Sequence, residues 1–121
     1  MNYTSPNPTQ DVEVALRVVG GKWKVLVLWH LRDGLKRYGQ LRKLIPNVTE
    51  KMLIRQLREL EADDIITRTD FQTVPPHVEY ALSEYGQSVL PILGALCHWG
   101  QLYIEREQKL LSATDSVKSI Q

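Results

Sequence analysis

The sequence predicts a mainly helical α+β domain that carries a two-stranded β-hairpin and ends in a long helix. Apolar residues recur at helical spacing over most of the chain, which is typical of amphipathic helices packed around one core. Two short β-prone segments flank a loop with adjacent prolines, and this pattern predicts the hairpin. The 121 residues are 43% apolar and 24% charged, which is the balance of one folded domain.

The N-terminal part predicts a flexible arm followed by two helices. Residues 1–10 contain two prolines and no apolar periodicity, so we expect the arm there. A helix is expected over residues 11–19, where apolar side chains share one stripe, and two glycines end it. The apolar run within residues 22–31 suits either a buried strand or a buried helix, and its length favours the helix.

The middle of the chain predicts an edge strand and two further helices. A short edge strand over residues 35–37 leads into a helix over residues 38–45, which Pro46 ends. The Thr49 hydroxyl can accept a hydrogen bond from an unpaired backbone N–H of the next helix, so Thr49 is expected to be its N-cap. That helix should extend to about residue 62.

The last third of the chain predicts one long helix and a polar tail. Ser83 is expected to cap a helix that continues to about residue 111. Pro91 lacks a backbone N–H and should kink this helix. Residues 112–121 are polar and are expected to fray, which leaves residues 11–111 as the folded domain.

Charge is distributed unevenly along the chain, although the formal net charge is only +1. Residues 22–58 contain ten basic and two acidic side chains, whereas residues 59–121 contain four basic and ten acidic ones. A basic region of this size attracts polyanions and speeds their encounter. Nucleic acid is therefore the partner that the charge pattern favours.

The helix after Thr49 has the pattern of a helix that reads DNA. Its leucines share one face and form a buried seam, and three cations lie on the opposite face. A capped helix preceded by a shorter helix and a turn is the arrangement of a helix-turn-helix, whose second helix enters the major groove. An ordinary solvated surface helix shows the same charge pattern. The seam consists of Leu53, Leu57 and Leu60, and the cations are Lys51, Arg55 and Arg58.

A hairpin after this helix favours the interpretation as a DNA reader. Strands are expected over residues 65–70 and 78–82, and the loop between them is stiffened by two prolines. Such a wing carries Arg68 on its first strand and His77 at or near its tip, which supplies a second contact with DNA. A solvated loop histidine is the alternative for His77.

The last predicted helix carries two apolar stripes, and one domain surface covers only one of them. The first stripe consists of Tyr85, Val89, Ile92, Leu96, Trp99 and Tyr103. The second consists of Leu90, Leu93, Cys97, Gly100 and Ile104. A core helix of a monomer is one explanation, but the second stripe favours a homodimer with a symmetric pair of reading helices.

Residue types that support catalysis or metal binding are sparse. Cys97 is the only thiol, and it points about 100° away from the adjacent His98 on a helix, so no nucleophile and base pair is expected. The three histidines lack metal-ligand spacing, and we expect no cofactor. No apolar run approaches the ~20 residues of a membrane helix, and no leader pattern begins the chain. We therefore expect a cytoplasmic protein without a membrane partner.

Several segments occur together at particular distances along the chain. They are Gly20-Gly21-Lys22-Trp23, Thr49-Glu50-Lys51-Met52-Leu53, Leu57-Arg58-Glu59-Leu60-Glu61, Val74-Pro75-Pro76-His77-Val78-Glu79-Tyr80 and Trp99-Gly100. In these segments the chain resembles the HxlR-type family of winged helix-turn-helix regulators, from about residue 12 to residue 103. The resemblance implies a dimeric bacterial or archaeal transcription regulator whose first and last helices form the dimer.

Many thiol-sensing members of the family are similar to one another in a Cys-Pro-Val-Glu segment. The matching residues of this chain are Gln10-Asp11-Val12-Glu13, so the sensing cysteine is absent and a thiol switch is not expected. Cys97 lies within a helical seam, whereas a reactive thiol needs exposure and a lowered pKa.

These observations lead to one functional prediction and one alternative. We expect a homodimeric regulator, not an enzyme, that binds double-stranded operator DNA in a sequence-specific way; its effector, if it has one, is not specified by the sequence. The alternative is a winged helix that serves as a protein-interaction or assembly module. The predicted DNA contacts are Lys36, Arg37, Tyr38, Thr49, Lys51, Met52, Arg55, Arg58, Arg68 and His77, and the predicted dimer contacts are Val12, Leu16, Leu93, Cys97, Gly100 and Ile104.

Overall fold

The computed structural model describes residues 4–120, with side chains through residue 114. The chain forms two compact units, with the boundary after Ser88. The elements in chain order are α1 (Pro8–Val19), α2 (Lys22–Leu31), β1 (Lys36–Arg37), α3 (Tyr38–Leu44), α4 (Glu50–Ala62), β2 (Ile66–Asp70), β3 (Val78–Leu82), a 3₁₀ turn (Tyr85–Val89) and α5 (Leu90–Ile120). The order confirms the predicted mainly helical α+β fold with a hairpin and a long last helix.

Helix α1 begins earlier than expected because its capping residues lie within the predicted arm. The Asn7 side chain accepts a hydrogen bond from the Gln10 N–H at 3.1 Å, and Pro8 occupies the first turn, where no N–H is needed. Helix α1 therefore includes residues 8–10 of the predicted arm, and residues 1–3 lie outside the described residues.

The junction between α1 and α2 requires both of its glycines. A Cβ atom at Gly20 would collide with the backbone carbonyl of Leu16, and Gly21 has a φ of 88°, which other residues rarely adopt. Helix α2 follows at once, so the apolar run within residues 22–31 is a helix, as its length predicted.

The helix-turn-helix consists of α3, a short turn and α4. Arg42 of α3 donates from Nη1 to the Val48 carbonyl of the turn at 3.4 Å, which connects the two ends of this turn. The Thr49 hydroxyl accepts from the Met52 N–H at 3.1 Å, which confirms Thr49 as the N-cap of α4. These local bonds fix where the second helix starts.

The two strands of the hairpin and the predicted edge strand β1 form one three-stranded antiparallel sheet, in the order β1-β3-β2. The central strand β3 pairs Tyr80 with Lys36 on one side and with Arg68 on the other. The core of the first unit is formed by apolar side chains of α2, α3, α4 and the sheet: Val27, Leu28, Leu31, Leu41, Ile45, Val48, Leu53, Leu57, Leu60, Ile65, Ile66 and Tyr80.

The long last helix differs from its prediction at both ends. Ser83 accepts from the Gly86 N–H at 2.8 Å and so caps a 3₁₀ turn, and α5 starts only at Leu90. Pro91 therefore lies in the first turn, where its missing N–H breaks no helical bond, and the expected kink has no cause. The helix continues to Ile120 and so extends through residues 112–120 of the predicted polar tail. None of the helices in the described residues is long and apolar enough to cross a membrane.

Candidate nucleic-acid interface

Helix α4 has one buried face and one basic exposed face. Leu53, Leu57 and Leu60 are 0%, 1% and 0% exposed, as the predicted seam requires. Lys51 and Arg58 are exposed on the opposite side, and neither makes an ion pair with any residue from 4 to 114. Their ammonium and guanidinium groups are therefore available to an anionic partner.

The third predicted cation of α4, Arg55, belongs to an ion cluster. Its Nε atom lies 3.2 Å from Oε1 of Glu59, one helical turn away, and its side chain is 70% exposed. Oε2 of Glu59 lies 2.8 Å from Nζ of Lys24, a buried lysine of α2. The Lys24 ammonium and then the Arg55 guanidinium hold the pKa of Glu59 below its usual value, so this carboxylate is ionised at neutral pH.

The first turn of α4 contributes two further predicted contacts. Thr49 is exposed, but its hydroxyl is already the N-cap of the helix. Met52 is half-buried, and its sulfur accepts a hydrogen bond from the Gln56 side chain at 3.2 Å. Both residues adjoin Lys51 at the N-terminal end of the helix, the end that reads bases in a helix-turn-helix.

Three predicted contacts lie together where β1 leads into α3. Arg37 is exposed, and its backbone N–H donates to the Gln40 side chain at 2.8 Å. Lys36 lies 3.2 Å from Asp33 and is only 21% exposed. The Tyr38 hydroxyl is buried without a hydrogen-bond partner in the described part of the chain, and burial raises the pKa of this phenol. Arg37 is thus the most accessible of the three.

An open cleft of about 1010 Å³ lies between α3, α4 and the hairpin. Ile54, Leu57 and Val78 contribute apolar surface to it. Its charged lining residues are Arg37, Lys43, Arg58 and Arg68, with Glu50 and Glu61. Four cations against two carboxylates make the cleft basic, and it lies beside the exposed face of α4. The structure therefore brings predicted contacts from β1, α4 and β2 around one concave surface.

The wing differs from its prediction at His77. The His77 Nε2 atom lies 2.9 Å from Oε2 of Glu79, and its ring contacts that of Phe71 with centroids 4.5 Å apart. The Phe71 N–H donates to the His77 carbonyl at 3.0 Å, so these residues close the base of the loop. Val74, which is 98% exposed, lies at the tip instead. Arg68 is exposed on β2, 3.6 Å from Asp70.

The predicted dimer residues divide by exposure. In the single chain, Val12, Leu16 and Ile104 are exposed and Cys97 and Gly100 are half-buried, whereas Leu93 is only 3% exposed. Leu93 thus offers little surface to a partner. In the first stripe, Val89 just before α5 is buried, whereas Ile92, Leu96, Trp99 and Tyr103 are each about half exposed or more.

Two residues that support the basic face of α4, Lys24 and Glu59, were missed from the sequence. Lys24 interrupts an otherwise apolar helix, which is a signal for a buried partner, and Glu59 lies four residues after Arg55, the spacing of a helical ion pair.

Among residues 4–114, no group of histidine, cysteine or carboxylate side chains is arranged to hold a metal ion.

The profile of the HxlR-like helix-turn-helix family matches residues 18–108. This chain belongs to the HxlR-like family. An uncharacterized HTH-type transcriptional regulator of Bacillus subtilis, YtcD, is 56% identical over 96 residues, which are 79% of this chain and 76% of YtcD. A regulator from the archaeon Methanothermobacter thermautotrophicus is 53% identical over 93 residues, which are 77% of this chain and 71% of that protein.

Solved structures of two similar regulators have the same fold. The crystal structure of YtcD has a TM-score of 0.75 and 54% identity, covering 78% of this chain and 96% of that one. The redox regulator HypR in its oxidized form has a TM-score of 0.72 and 46% identity, covering 75% of this chain and 94% of that one. As an HxlR-like protein, the chain is a DNA-binding transcription regulator with a winged-helix fold, and it is not an enzyme.

Proposed function

We propose that this HxlR-like regulator binds operator DNA as a homodimer, with α4 of each protomer in the major groove. The observation that carries the proposal is the exposed basic face of α4 opposite a fully buried leucine seam. A helix fixed in this way presents its cations with little freedom to turn away, which favours sequence reading over loose attraction.

The charged residues divide into two roles in this proposal. Lys51 and Arg55 lie in the first turns of α4 and contact base edges, since the N-terminal part of a reading helix lies deepest in the groove. Arg58, Arg37 and Lys36 lie farther along or beside the helix and contact phosphates, as they line or adjoin the basic cleft. Tyr38, Thr49 and Met52 position the backbone and side chains around these cations.

The wing contributes a second contact through Arg68 and the exposed loop. Arg68 lines the basic cleft between the hairpin and α4, where a phosphate group that enters the cleft meets both elements. His77 has a smaller role than the sequence suggested, because its ring is engaged by Glu79 and Phe71.

The homodimer is supported by the apolar surface that the single chain leaves uncovered. Trp99 and Tyr103 stack with centroids 5.6 Å apart and are 65% and 49% exposed. Exposed apolar stripes of this size mark protein interfaces. A second copy of the chain that covers this stripe gives the dimer two reading helices, one for each half of an operator.

Arg55 provides the test of sequence reading. The probes are a duplex selected from a randomised library by the wild-type protein and a scrambled duplex of the same composition. Arg55→Ala should lower affinity for the selected duplex by about 1 to 3 kcal/mol and change binding to the scrambled duplex less. Arg58→Ala, the matched phosphate variant, should weaken both. Equal losses on both duplexes for Arg55→Ala would contradict base reading by this residue.

A further inference from the structure

We propose that Lys24, a buried residue outside the DNA-facing surface, is a positioning residue that sets the orientation of Arg55 for base reading. The inference rests on the proposed function, because it assigns the way in which one reading residue is held. It follows from a chain of two contacts, from Lys24 of α2 to Glu59 of α4 and from Glu59 to Arg55.

The first contact is one that the fold requires. The Lys24 side chain is 10% exposed, and a buried ammonium group needs a hydrogen-bonded partner because desolvation disfavours its charge. Oε2 of Glu59, at 2.8 Å from Nζ, is its ion-pair partner in the part of the chain that the structure describes. This contact fixes the Glu59 carboxylate from the inner side of α4, so the carboxylate does not turn freely on the helix surface.

The second contact transmits that position to the reading face. Oε1 of Glu59 accepts from Arg55 at Nε, 3.2 Å away, and neither terminal nitrogen of Arg55 has a hydrogen-bond partner between residues 4 and 114. Nε lies on the stem side of the guanidinium group. The two terminal nitrogens, which form the fork that recognises guanine or a phosphate, are therefore left to face outward.

Charge balance explains why a lysine is needed at this position. A carboxylate on the reading face repels phosphates, and it would neutralise Arg55 if Arg55 were its only partner. Because Lys24 supplies a second positive charge from below, the cluster of two cations and one carboxylate keeps a net charge of +1. Without Lys24, Glu59 turns fully toward Arg55 and competes with DNA for the terminal nitrogens.

The test compares Lys24→Met with a matched control on the same helix. Methionine has a similar length and needs no partner in a buried place. Lys22→Met removes the same charge two residues earlier; Lys22 is exposed and lies over the Trp23 ring, with its Nζ 4.6 Å from the centroid, and it makes no ion pair within residues 4–114. Affinities are measured on the selected duplex and on a set of duplexes that each carry one base-pair change.

We expect Lys24→Met to lower affinity for the selected duplex about 3- to 10-fold and to relax the preference at the base pair that Arg55→Ala also relaxes. In the double variant with Arg55→Ala, the loss of preference should not exceed that of Arg55→Ala alone. Lys24→Arg keeps a charged donor and should retain the preference. Lys22→Met should weaken binding to all duplexes alike.

Three results would overturn the proposal or its basis. A uniform loss for Lys24→Met on every duplex, equal to that of Lys22→Met, would show that only its charge matters. Additive effects of Lys24→Met and Arg55→Ala would show that the residues act separately. A wild-type protein that selects no sequence would contradict the proposed function itself. Circular dichroism checks whether Lys24→Met folds. If it does not, Glu59→Gln changes a side chain that is 40% exposed and tests whether the preference at the same base pair is relaxed.

Discussion

Helices α4 and α5 both carry apolar stripes, but the single chain buries one stripe and leaves the other exposed. The leucine seam of α4 is at most 1% exposed, whereas Leu96 and Trp99 of α5 are 51% and 65% exposed. Helical periodicity is equally clear in both sequences, so periodicity does not tell which surface covers a stripe. The burial of the α4 leucines holds its cations on the opposite, exposed face, and the exposed stripe of α5 is the surface that the proposed homodimer would cover.

The largest expected effect comes from breaking the buried stripe. Leu57→Ala should lower the free energy of unfolding by about 2 to 5 kcal/mol, because it leaves a cavity under the reading helix. The control is Leu111→Ala on α5, at a side chain that is 64% exposed, which should change stability by less than about 0.5 kcal/mol. Urea unfolding of both variants measures the difference. Similar losses in the two would contradict the contrast between the helices.

Charging the exposed stripe should affect assembly more than folding. Leu96→Glu should convert the protein to a monomer in sedimentation at micromolar concentration and keep its far-ultraviolet helix signal. Affinity for the selected duplex should fall about tenfold or more, since each half-site is then bound alone. Gln101→Glu adds the same charge at an exposed polar position and should remain a dimer. A dimeric Leu96→Glu protein would place the interface elsewhere.

Most of the fold could be predicted because its signals are local. The Thr49 cap and the spacing of the α4 leucines depend only on neighbouring residues, and both appear as expected. The choice between the two stripes of α5 could not be read in the same way, because Ile92 and Leu93 are adjacent apolar residues with the same helical periodicity, although Ile92 is 49% exposed and Leu93 is 3% exposed.

The candidate site was predicted less completely, because its ion pairs join distant segments. The contact between Lys24 and Glu59 connects two helices, and no spacing rule specifies such a pair. The contact between His77 and Glu79 had a local signal, since residues two apart on an extended chain point to the same side. Charge pattern identified the basic face of the molecule, whereas the partners of each charge depend on the fold.

Removing the cap of α4 should have an intermediate effect. Thr49→Ala leaves the Met52 N–H without its acceptor and should lower the free energy of unfolding by about 1 kcal/mol. Thr114→Ala is the matched control on α5, because the Thr114 hydroxyl donates to the Leu110 carbonyl within the helix and caps nothing. Thermal unfolding should separate the two variants. An unchanged midpoint for Thr49→Ala would show that water replaces the cap.

The smallest effect should depend on pH through Glu59. Its folded pKa is lowered by Lys24 and then by Arg55, so the carboxylate stabilises the fold above its unfolded pKa of about 4.3, and this contribution is lost as the pH falls through the folded value. Glu59→Gln keeps an amide oxygen that can accept a hydrogen bond from the buried Lys24 ammonium, so it removes the charge of the pair and not the contact. It should reduce stability at neutral pH by less than about 1 kcal/mol, because solvent screens this half-exposed side chain. Urea unfolding between about pH 7 and about pH 3 should show the difference shrinking in acid. A stability difference between wild type and Glu59→Gln that stays constant with pH would show that the charge of Glu59 does not stabilise the fold.

The central position of β3 in the sheet makes the wing loop an exchangeable part. Because β3 is hydrogen-bonded on both sides, to β2 and to the strand that leads directly into α3, the strand pairing around α4 does not use the five residues between Phe71 and His77. Loops of other lengths can therefore be grafted there from related regulators. Such chimaeras should keep the base preference of α4 while changing the length of DNA protected from nuclease, which separates what the protein reads from how far it reaches.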